Sequence, residues 1–359
     1  MKVGIVGLPN AGKSSLFNAL TRAGAEAANY PFTTIEPNVA VVPVRDDRLD
    51  RVAETLGASN IVYDTVDFHD IAGLVRGAHE GEGLGNKFLA NIRETDALVH
   101  VVRVHEDASV VHPEGAVDPI RDIETIETEL IYADLEQAER RHGRVVRDAR
   151  GGEKTAIAEE AWLRAVIEAL QAGRPVRSVP PPPDAPEAVR NLSPLTSKPV
   201  LFVVNVEEGS EEVPVEVVDR AAAEGALVVA VSSRLEAELS ELDDDEAEAM
   251  REELGAGPSS LDRVVTGAFA LLDELTFFTA GEAKPAQSWH LKRGLTAWHA
   301  AGAIHSDIQK GFVRAEIIGW EPLVEAGGYA GARSKGTLRL EGRDYVMNDG
   351  DVITVRFTP

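Results

Sequence analysis

The segment from Gly7 to Ser14, which reads Gly-Leu-Pro-Asn-Ala-Gly-Lys-Ser, has the residue types and spacing of a phosphate-binding loop (P-loop). The glycines allow backbone N–H groups to turn towards phosphate oxygens, at the start of a helix whose dipole favours negative charge. Lys13 would place a point charge on the β- and γ-phosphates, and the Ser14 hydroxyl would ligate Mg²⁺. The motif therefore predicts binding of a nucleoside triphosphate.

A second group of candidate residues follows the apolar run Ile61–Phe68, where a strand would end. The Asp70 carboxylate can hold Mg²⁺ through a water molecule, and the backbone N–H of Gly73 can reach a γ-phosphate. Five glycines lie within 13 residues from Gly73 onwards, which favours a loop that is ordered by nucleotide. A threonine before the second strand could also reach the metal, and spacing alone leaves Thr33 and Thr34 both open.

The sequence departs from a Ras-like GTPase at two positions. Leu74 occupies the place where a glutamine would orient the attacking water. The base-reading motif N-K-x-D is replaced by Asn-Val-Glu-Glu at 205–208, so the carboxylate that would pair with guanine belongs to the longer Glu208. Weak discrimination of guanine is predicted. Val206 would pack on the purine face, while Asn205 would bond the ring edge or the loop.

Because Leu74 has no donor or acceptor, another group must position water if hydrolysis occurs. His112 follows the apolar segment Val99–Val104, close to the predicted sheet edge. A neutral imidazole near pH 7 can accept a proton and orient water. The alternative is a surface histidine in a polar loop beside Pro113, and the sequence leaves both open.

The elements that must position these residues are indicated by apolar runs alternating with helical stretches, a pattern typical of a mainly parallel α/β sheet covered on both faces. The runs are Lys2–Val6, Val39–Val44, Ile61–Phe68, Ala97–Val102, Pro199–Val204 and Ala226–Val231. Apolar residues at helical spacing over 122–150 and 157–170, broken at Gly151-Gly152, predict an inserted antiparallel helical hairpin. Acidic helices are predicted over 235–254 and 261–275, followed by a small α+β domain.

The composition is that of a globular protein of two or three domains, with 359 residues of which 44% are hydrophobic. The formal charge of −24 argues against binding bare nucleic acid through diffuse positive charge. The absence of cysteine excludes disulfides, thiolate metal sites and a cysteine nucleophile. There is no run of 18 apolar residues and no signal-peptide pattern, so we expect a cytoplasmic protein without a membrane span.

In these motifs the chain resembles the YchF group of Obg-related P-loop NTPases, the Obg-like ATPases. The resemblance covers nearly the whole chain and is carried by residues 7–14, 29–38 (NYPFTTIEPN), 70–94, 205–208, 302–311 and 341–352. It implies a P-loop nucleotide-binding domain (1–120 and 196–275), a helical hairpin insertion (121–195) and a β-grasp-like TGS domain (276–359).

The resemblance also implies a Mg²⁺-dependent switch that binds and hydrolyses ATP, with a hydrophobic residue in place of the glutamine. It places ATP contacts at Asn10, Ala11, Gly12, Lys13, Ser14 and Ser15, an adenine contact at Val206, and metal ligands at Ser14 and Thr34. Two alternatives stay open. One is a translational GTPase with a degenerate base-recognition motif, and the other is a non-hydrolysing nucleotide-dependent scaffold, which Leu74 favours.

The tail differs electrostatically from the rest of the chain. From Gly281 to Pro359 there are ten Lys and Arg and nine Asp and Glu, a charge of +1, which leaves −25 for the other residues. The tail is therefore the large region least repelled by phosphate, and with the TGS resemblance this predicts docking on a ribonucleoprotein, namely the ribosome. Trp289, Trp298, His299 and His305 are candidate stacking surfaces, although Trp298 is expected in the core. The oligomeric state is not predicted.

Overall fold

The computed structural model describes residues 1–26, 38–71, 84–107, 110–254 and 259–358. These residues form two compact units. Counting described residues only, the first unit contains 1–41 and 67–271, and the second contains 42–66 and 272–358. The second unit is therefore built from two separate stretches of the chain.

Strands and helices are numbered along the chain. The strands are β1 (Lys2–Val6), β2 (Val39–Pro43), β3 (Ile61–Val62), β4 (Thr65–Asp70), β5 (Ala97–Arg103), β6 (Val200–Asn205), β7 (Leu227–Val231), β8 (Glu274–Thr279), β9 (Ala286–Lys292), β10 (Phe312–Gly319), β11 (Arg339–Glu341) and β12 (Asp351–Phe357). The helices are α1 (Lys13–Glu26), α2 (Asp47–Leu56), α3 (Leu84–Arg93), α4 (Pro119–Arg150), α5 (Lys154–Gln171), α6 (Ala188–Leu192), α7 (Val215–Glu224), α8 (Ser233–Leu239), α9 (Asp244–Glu253), α10 (Ser260–Ala270), α11 (Ala297–Ile304), α12 (Ser306–Lys310), α13 (Trp320–Glu325) and α14 (Tyr329–Lys335). Within the described ranges, no helix combines the length and apolar character needed to cross a membrane.

The first unit is organised around a six-stranded sheet with the order β2-β4-β1-β5-β6-β7. β1 pairs in parallel with β4 and β5, and β6 pairs in parallel with β5 and β7. All seven residues of β5 are buried, as expected for a central strand with both faces covered. The predicted mainly parallel α/β sheet is confirmed. The carboxyl ends of its parallel strands meet at one edge, where such sheets bind ligands.

The predicted helical hairpin is formed by α4 and α5. The Asp118 carboxylate accepts a hydrogen bond from the backbone N–H of Arg121 and so caps α4, which has 32 residues and a length of about 48 Å. Gly152 has a φ of 86° and reverses the chain between the two helices. The helices share an apolar cluster that includes Val145 and Leu163, and burial of this seam stabilises the hairpin.

An ion network ties the hairpin to the rest of the first unit. The Arg177 guanidinium donates to Glu127 of α4 at 2.9 Å and to Glu224 of α7 at 2.5 Å. Arg220 of α7 also pairs with both carboxylates. Since both cations pair with both carboxylates in this half-buried network, removing one cation would leave two carboxylates to share the other.

The second unit contains a mixed sheet with the order β11-β10-β12-β8-β9-β3. Its central pair, β8 and β12, is parallel, and each has an antiparallel partner, β9 and β10 respectively. Phe277 packs in a cluster with residues of α11, whereas the next residue, Phe278, packs in a cluster with Leu49 and Val52 of α2. Consecutive strand residues face opposite sides of a sheet, so α2 provides a second layer and the arrangement is β-grasp-like.

Three predicted element boundaries are wrong. The predicted helix 235–254 divides into α8, which ends at Leu239, and α9, which begins at Asp244. The predicted strand 61–68 divides into β3, which pairs with β9 in the second unit, and β4, which pairs with β1 in the first. The predicted helix 261–275 ends at Ala270, and Leu275 lies in β8. The division into three domains stays a prediction. Of the two compact units, the first contains the hairpin, and the second contains residues 42–66 together with the tail.

Candidate functional site

The P-loop connects β1 to α1 and requires glycine at two positions. Gly7 has a φ of 151° and Gly12 a φ of 105°. A Cβ atom on Gly7 would lie 2.5 Å from the carbonyl oxygen of Val101, and one on Gly12 would lie 2.4 Å from Nδ2 of Asn205. The loop backbone therefore lies directly against the ends of β5 and β6, where a side chain would not fit.

Lys13 is the first residue of α1 and is only 8% exposed. Its Nζ donates to the carbonyl oxygen of Leu8 over 2.7 Å. Burial lowers the pKa of Lys13 to about 8, and the Asp70 carboxylate opposes that shift. The ammonium is thus a partly desolvated cation, which an anionic phosphate would stabilise.

This pKa predicts that ATP affinity decreases above about pH 8. Bound phosphate favours the charged ammonium, so the pKa of Lys13 is higher in the complex than its value of about 8 in the free protein. Between these two pKa values binding takes up a proton, and the dissociation constant rises by up to about tenfold per pH unit. Below about pH 8 the affinity should be constant. Calorimetric titration between about pH 7 and 9.5 measures this dependence.

The matched control is Lys13→Arg, because a guanidinium stays charged throughout this range. Its affinity for ATP should not depend on pH. A variant that reproduced the wild-type dependence would show that another group titrates.

Asn205, the last residue of β6, joins the P-loop to the base-side loops. Its Nδ2 donates to the carbonyl oxygen of Ala11, and its Oδ1 accepts from the backbone N–H of Ser233, both over 3.0 Å. Nδ1 of His105 lies 3.0 Å from the carbonyl oxygen of Asn205. The sequence predicted that the Asn205 side chain bonds either the ring edge of the base or the loop, and the structure shows the bond to the loop.

Val206 follows Asn205 but presents little side-chain surface. The residue is 3% exposed and packs in an apolar cluster with Val217 of α7 and Ile123 of α4. Its backbone N–H donates to the carbonyl oxygen of Val231 over 3.0 Å. In this conformation most of the side chain belongs to the core, and the packing of Val206 on a purine face stays a prediction.

A cleft of about 700 Å³ lies over the P-loop. It is lined by Asn10, Gly12, Lys13, Ser14, Ser15, Arg103, His105, Glu106, Asp107, Val110, Asn205, Val206, Glu207, Glu208, Ser232, Ser233 and Arg234. The predicted ATP-contact residues 10–15, other than Ala11, thus share one cleft with Asn205 and Val206, and the carbonyl group of Ala11 accepts from Asn205. The sequence motifs did not indicate that Arg103, His105 and the residues after β7 line the site. Their position at the carboxyl ends of parallel strands is the signal that would have found them.

The donors available to a metal ion suit Mg²⁺ bound together with a nucleotide. Ser14 is exposed at the start of α1 and lines the cleft. Asp70 ends β4, and burial raises the pKa of its carboxyl group above the ordinary value, although the nearby Lys13 opposes this shift. In the described ranges there is no cluster of three or more acidic or histidine side chains that could hold a metal. Mg²⁺ commonly binds through one or two protein oxygens together with water and substrate phosphates, so this sparse donor set fits it.

Four residues singled out in the sequence lie outside the described residues, namely Thr33, Thr34, Gly73 and Leu74. Their roles stay predictions.

His112 is neither an exposed surface residue nor part of the cleft lining. Its side chain is 6% exposed, and Nε2 lies 2.8 Å from Oδ2 of Asp122. Nδ1 accepts from the backbone N–H of Glu114 over 3.2 Å, so Nε2 carries the proton that is donated to Asp122. The preceding residue is tied to the P-loop, because Asn10 Nδ2 donates to the carbonyl oxygen of Val111. The Asp122 carboxylate already holds the imidazole in place. The catalytic role of His112 stays a prediction.

Two family models match separate parts of the chain. Residues 2–135 match the family described as 50S ribosome-binding GTPase. Residues 275–358 match the C-terminal family of YchF GTPases, which is described as a protein of unknown function. The first match covers the P-loop and most of α4, and the second covers the tail.

Relatives match over the full length. Proteins named ribosome-binding ATPase YchF from Bacillus subtilis and Haemophilus influenzae are 47% and 49% identical, and each alignment covers 99% of both chains. The solved YchF GTPase of Schizosaccharomyces pombe aligns with a TM-score of 0.88 at 33% identity, over 99% of this chain and 97% of that one. These names disagree on the nucleotide, which makes the base preference the property to measure.

Proposed function

The chain belongs to the YchF family of P-loop NTPases, and on that premise we propose that it is a Mg²⁺-dependent ATPase that acts as a nucleotide-controlled switch on the ribosome. The observation that carries this proposal is the buried Lys13 ammonium, which lines a P-loop cleft whose base-side wall contains Glu208. The names of the bacterial relatives support both the reaction and the partner.

In this proposal the chain's own residues act on the triphosphate through charge and position. Backbone N–H groups of the P-loop and the Lys13 ammonium hold the phosphates. Ser14, and Asp70 through water, would hold Mg²⁺, which neutralises phosphate charge when bound. Thr34 and Gly73 would respond to the γ-phosphate, so that the protein distinguishes ATP from ADP.

The base preference separates this proposal from a translational GTPase. Guanine recognition relies on a correctly spaced aspartate and a lysine that packs over the ring, whereas this chain has Glu208 and the buried Val206. We therefore expect ATP to bind more tightly than GTP. Calorimetric titration of both nucleotides with Mg²⁺ measures the difference, and tighter binding of GTP would favour the GTPase.

Docking on the ribosome is assigned to the second unit, which we take to be the TGS domain together with residues 42–66. The charge contrast between the tail and the rest of the chain supports this assignment, although the aromatic residues contribute less than expected. Trp289 and Trp298 pack against the core, and His299 completes the N-terminal cap of α11. Exposed basic side chains such as Arg314 and Arg343 are therefore the better candidates for contacts with phosphate. Ribosome docking would place the protein's action in the cytoplasm, with no role at a membrane or on bare DNA.

Charge reversal tests this surface without removing any of the fold. The double substitution Arg314→Glu with Arg343→Glu should reduce co-sedimentation with ribosomes at low salt by at least about tenfold, because phosphate contacts dominate such binding. The matched control is Arg144→Glu with Arg147→Glu, which makes the same charge change at exposed positions of the hairpin. Loss of sedimentation in the hairpin variant alone would move the docking surface to the hairpin.

A further inference from the structure

Arg103 is a buried cation in the nucleotide cleft that the P-loop motif does not include. It is the last residue of β5, is 4% exposed and lines the cleft. Its Nη2 donates to the carbonyl oxygen of Val110 over a long 3.3 Å, while Nε and Nη1 are buried and have no hydrogen-bond partner among the residues that the structure describes. Arginine is rarely so buried unless it is paired.

The surroundings of Arg103 place it beside the P-loop. Two residues before it, the carbonyl oxygen of Val101 abuts Gly7. Across the sheet, Arg103 is in register with Asn205, which bonds Ala11. Val110, which accepts from Arg103, is followed by the residue whose carbonyl accepts from Asn10. Residues that neighbour Arg103 or its partner Val110 therefore contact the P-loop at Gly7, Asn10 and Ala11.

We propose that Arg103 is a second protein cation of the nucleotide site, which compensates the negative charge of the bound phosphates together with Lys13. This inference rests on the proposed nucleotide-binding function. Four carboxylates also line the cleft, namely Glu106, Asp107, Glu207 and Glu208. Phosphates entering such a cleft need local positive charge, and a buried guanidinium is poorly screened by solvent, so it acts on them without direct contact.

The proposal makes opposite predictions for stability and for binding. In the free protein a buried guanidinium with two nitrogens that lack a partner among the described residues is unfavourable, so Arg103→Met, which keeps the length and removes the charge, should melt at the same or a higher temperature than the wild type. The same variant should bind ATP, ADP and inorganic pyrophosphate at least about tenfold more weakly. Arg103→Lys, which keeps the charge, should stay within about threefold of the wild type.

The matched control is Arg177→Met. Arg177 is a part-buried arginine that, unlike Arg103, has carboxylate partners and lies outside the cleft. This variant should melt at a lower temperature and bind nucleotide normally.

Thermal melting without nucleotide and calorimetric titration of the three probes, ATP, ADP and inorganic pyrophosphate, test the proposed role of Arg103. Unchanged affinity for pyrophosphate in Arg103→Met overturns the proposal, whether or not ATP binds more weakly, because the phosphates would then not be the target. A lower melting temperature in both Arg103 variants, with equal weakening of all three probes, also overturns it and makes Arg103 an anchor for the Val110 loop. If the wild type binds neither ATP nor pyrophosphate, the proposed function itself fails, independently of Arg103.

Discussion

Replacing Lys13 with alanine is expected to reduce ATP hydrolysis to background and to weaken ATP binding by at least about a hundredfold. The ammonium is buried against the P-loop backbone, with a 2.7 Å hydrogen bond to the carbonyl oxygen of Leu8. Among the described residues that line the cleft there is no second lysine to take its place. Measured phosphate release and calorimetric titration with Mg²⁺ and ATP report the two effects separately.

Lys198→Ala is the matched control for Lys13→Ala. Lys198 is also a partly buried lysine whose pKa is lowered by burial, and its Nζ donates to the carbonyl oxygen of Arg93 over 3.2 Å. It lies outside the cleft, so its loss should affect stability and leave ATP binding intact. Phosphate release that persisted in Lys13→Ala would place the reaction elsewhere, whereas a wild type without release above background would be the non-hydrolysing scaffold.

His112→Ala is expected to lower ATP turnover by roughly a hundredfold while ATP affinity stays within about twofold. The residue next to His112 is bonded to the P-loop residue Asn10, which ties the backbone beside His112 to the P-loop. Asp122 fixes the tautomer by accepting from Nε2, and Nδ1 accepts from the backbone N–H of Glu114, so Nδ1 could orient water only where water replaces that 3.2 Å bond. Single-turnover measurement at saturating ATP isolates this step.

Two further variants separate a catalytic imidazole from a structural one. Asp122→Asn preserves the shape of the pair and should also slow turnover, because it weakens the control of the tautomer. His142→Ala removes a histidine that is likewise bonded to a carboxylate, Glu160, but lies on the hairpin, and it should have no effect on turnover. If His112→Ala melts at a lower temperature but hydrolyses ATP at the normal rate, the His112–Asp122 pair only holds the loop to α4.

The nucleotide end of the site was predictable because its chemistry is local. Gly7, Gly12, Lys13 and Ser14 lie within eight residues, and each type is required by a backbone or phosphate contact that the motif already encodes. Arg103 was not predictable in this way. Nothing near it in the sequence marks a binding residue, and its role depends on β5 ending beside the P-loop, which is a property of the assembled sheet.

The fold shows the same division between local and long-range information. Periodicity located the hairpin and the parallel strands, since each pattern repeats within one element. It did not reveal that α2 packs on the tail. The buried residues Leu49 and Val52 mark α2 as amphipathic, but such a helix could equally cover the first sheet, and pairing with Phe278 and Val352 requires contacts across more than 200 residues. Likewise, nothing in the run 61–68 indicates that it supplies strands to two sheets.

The split origin of the second unit has a consequence for synthesis of the protein on the ribosome. The strand β12, which packs on α2, is made about 290 residues after the end of the 42–66 segment. At a synthesis rate of roughly 5–20 residues per second, the apolar face of α2 stays without β12 for on the order of 15–60 s. The helix and its N-cap also include Asp46, Asp47, Arg48, Asp50 and Arg51, which place charge beside that face. These charges oppose aggregation of the nascent chain during the interval, so they serve the protein before its core exists.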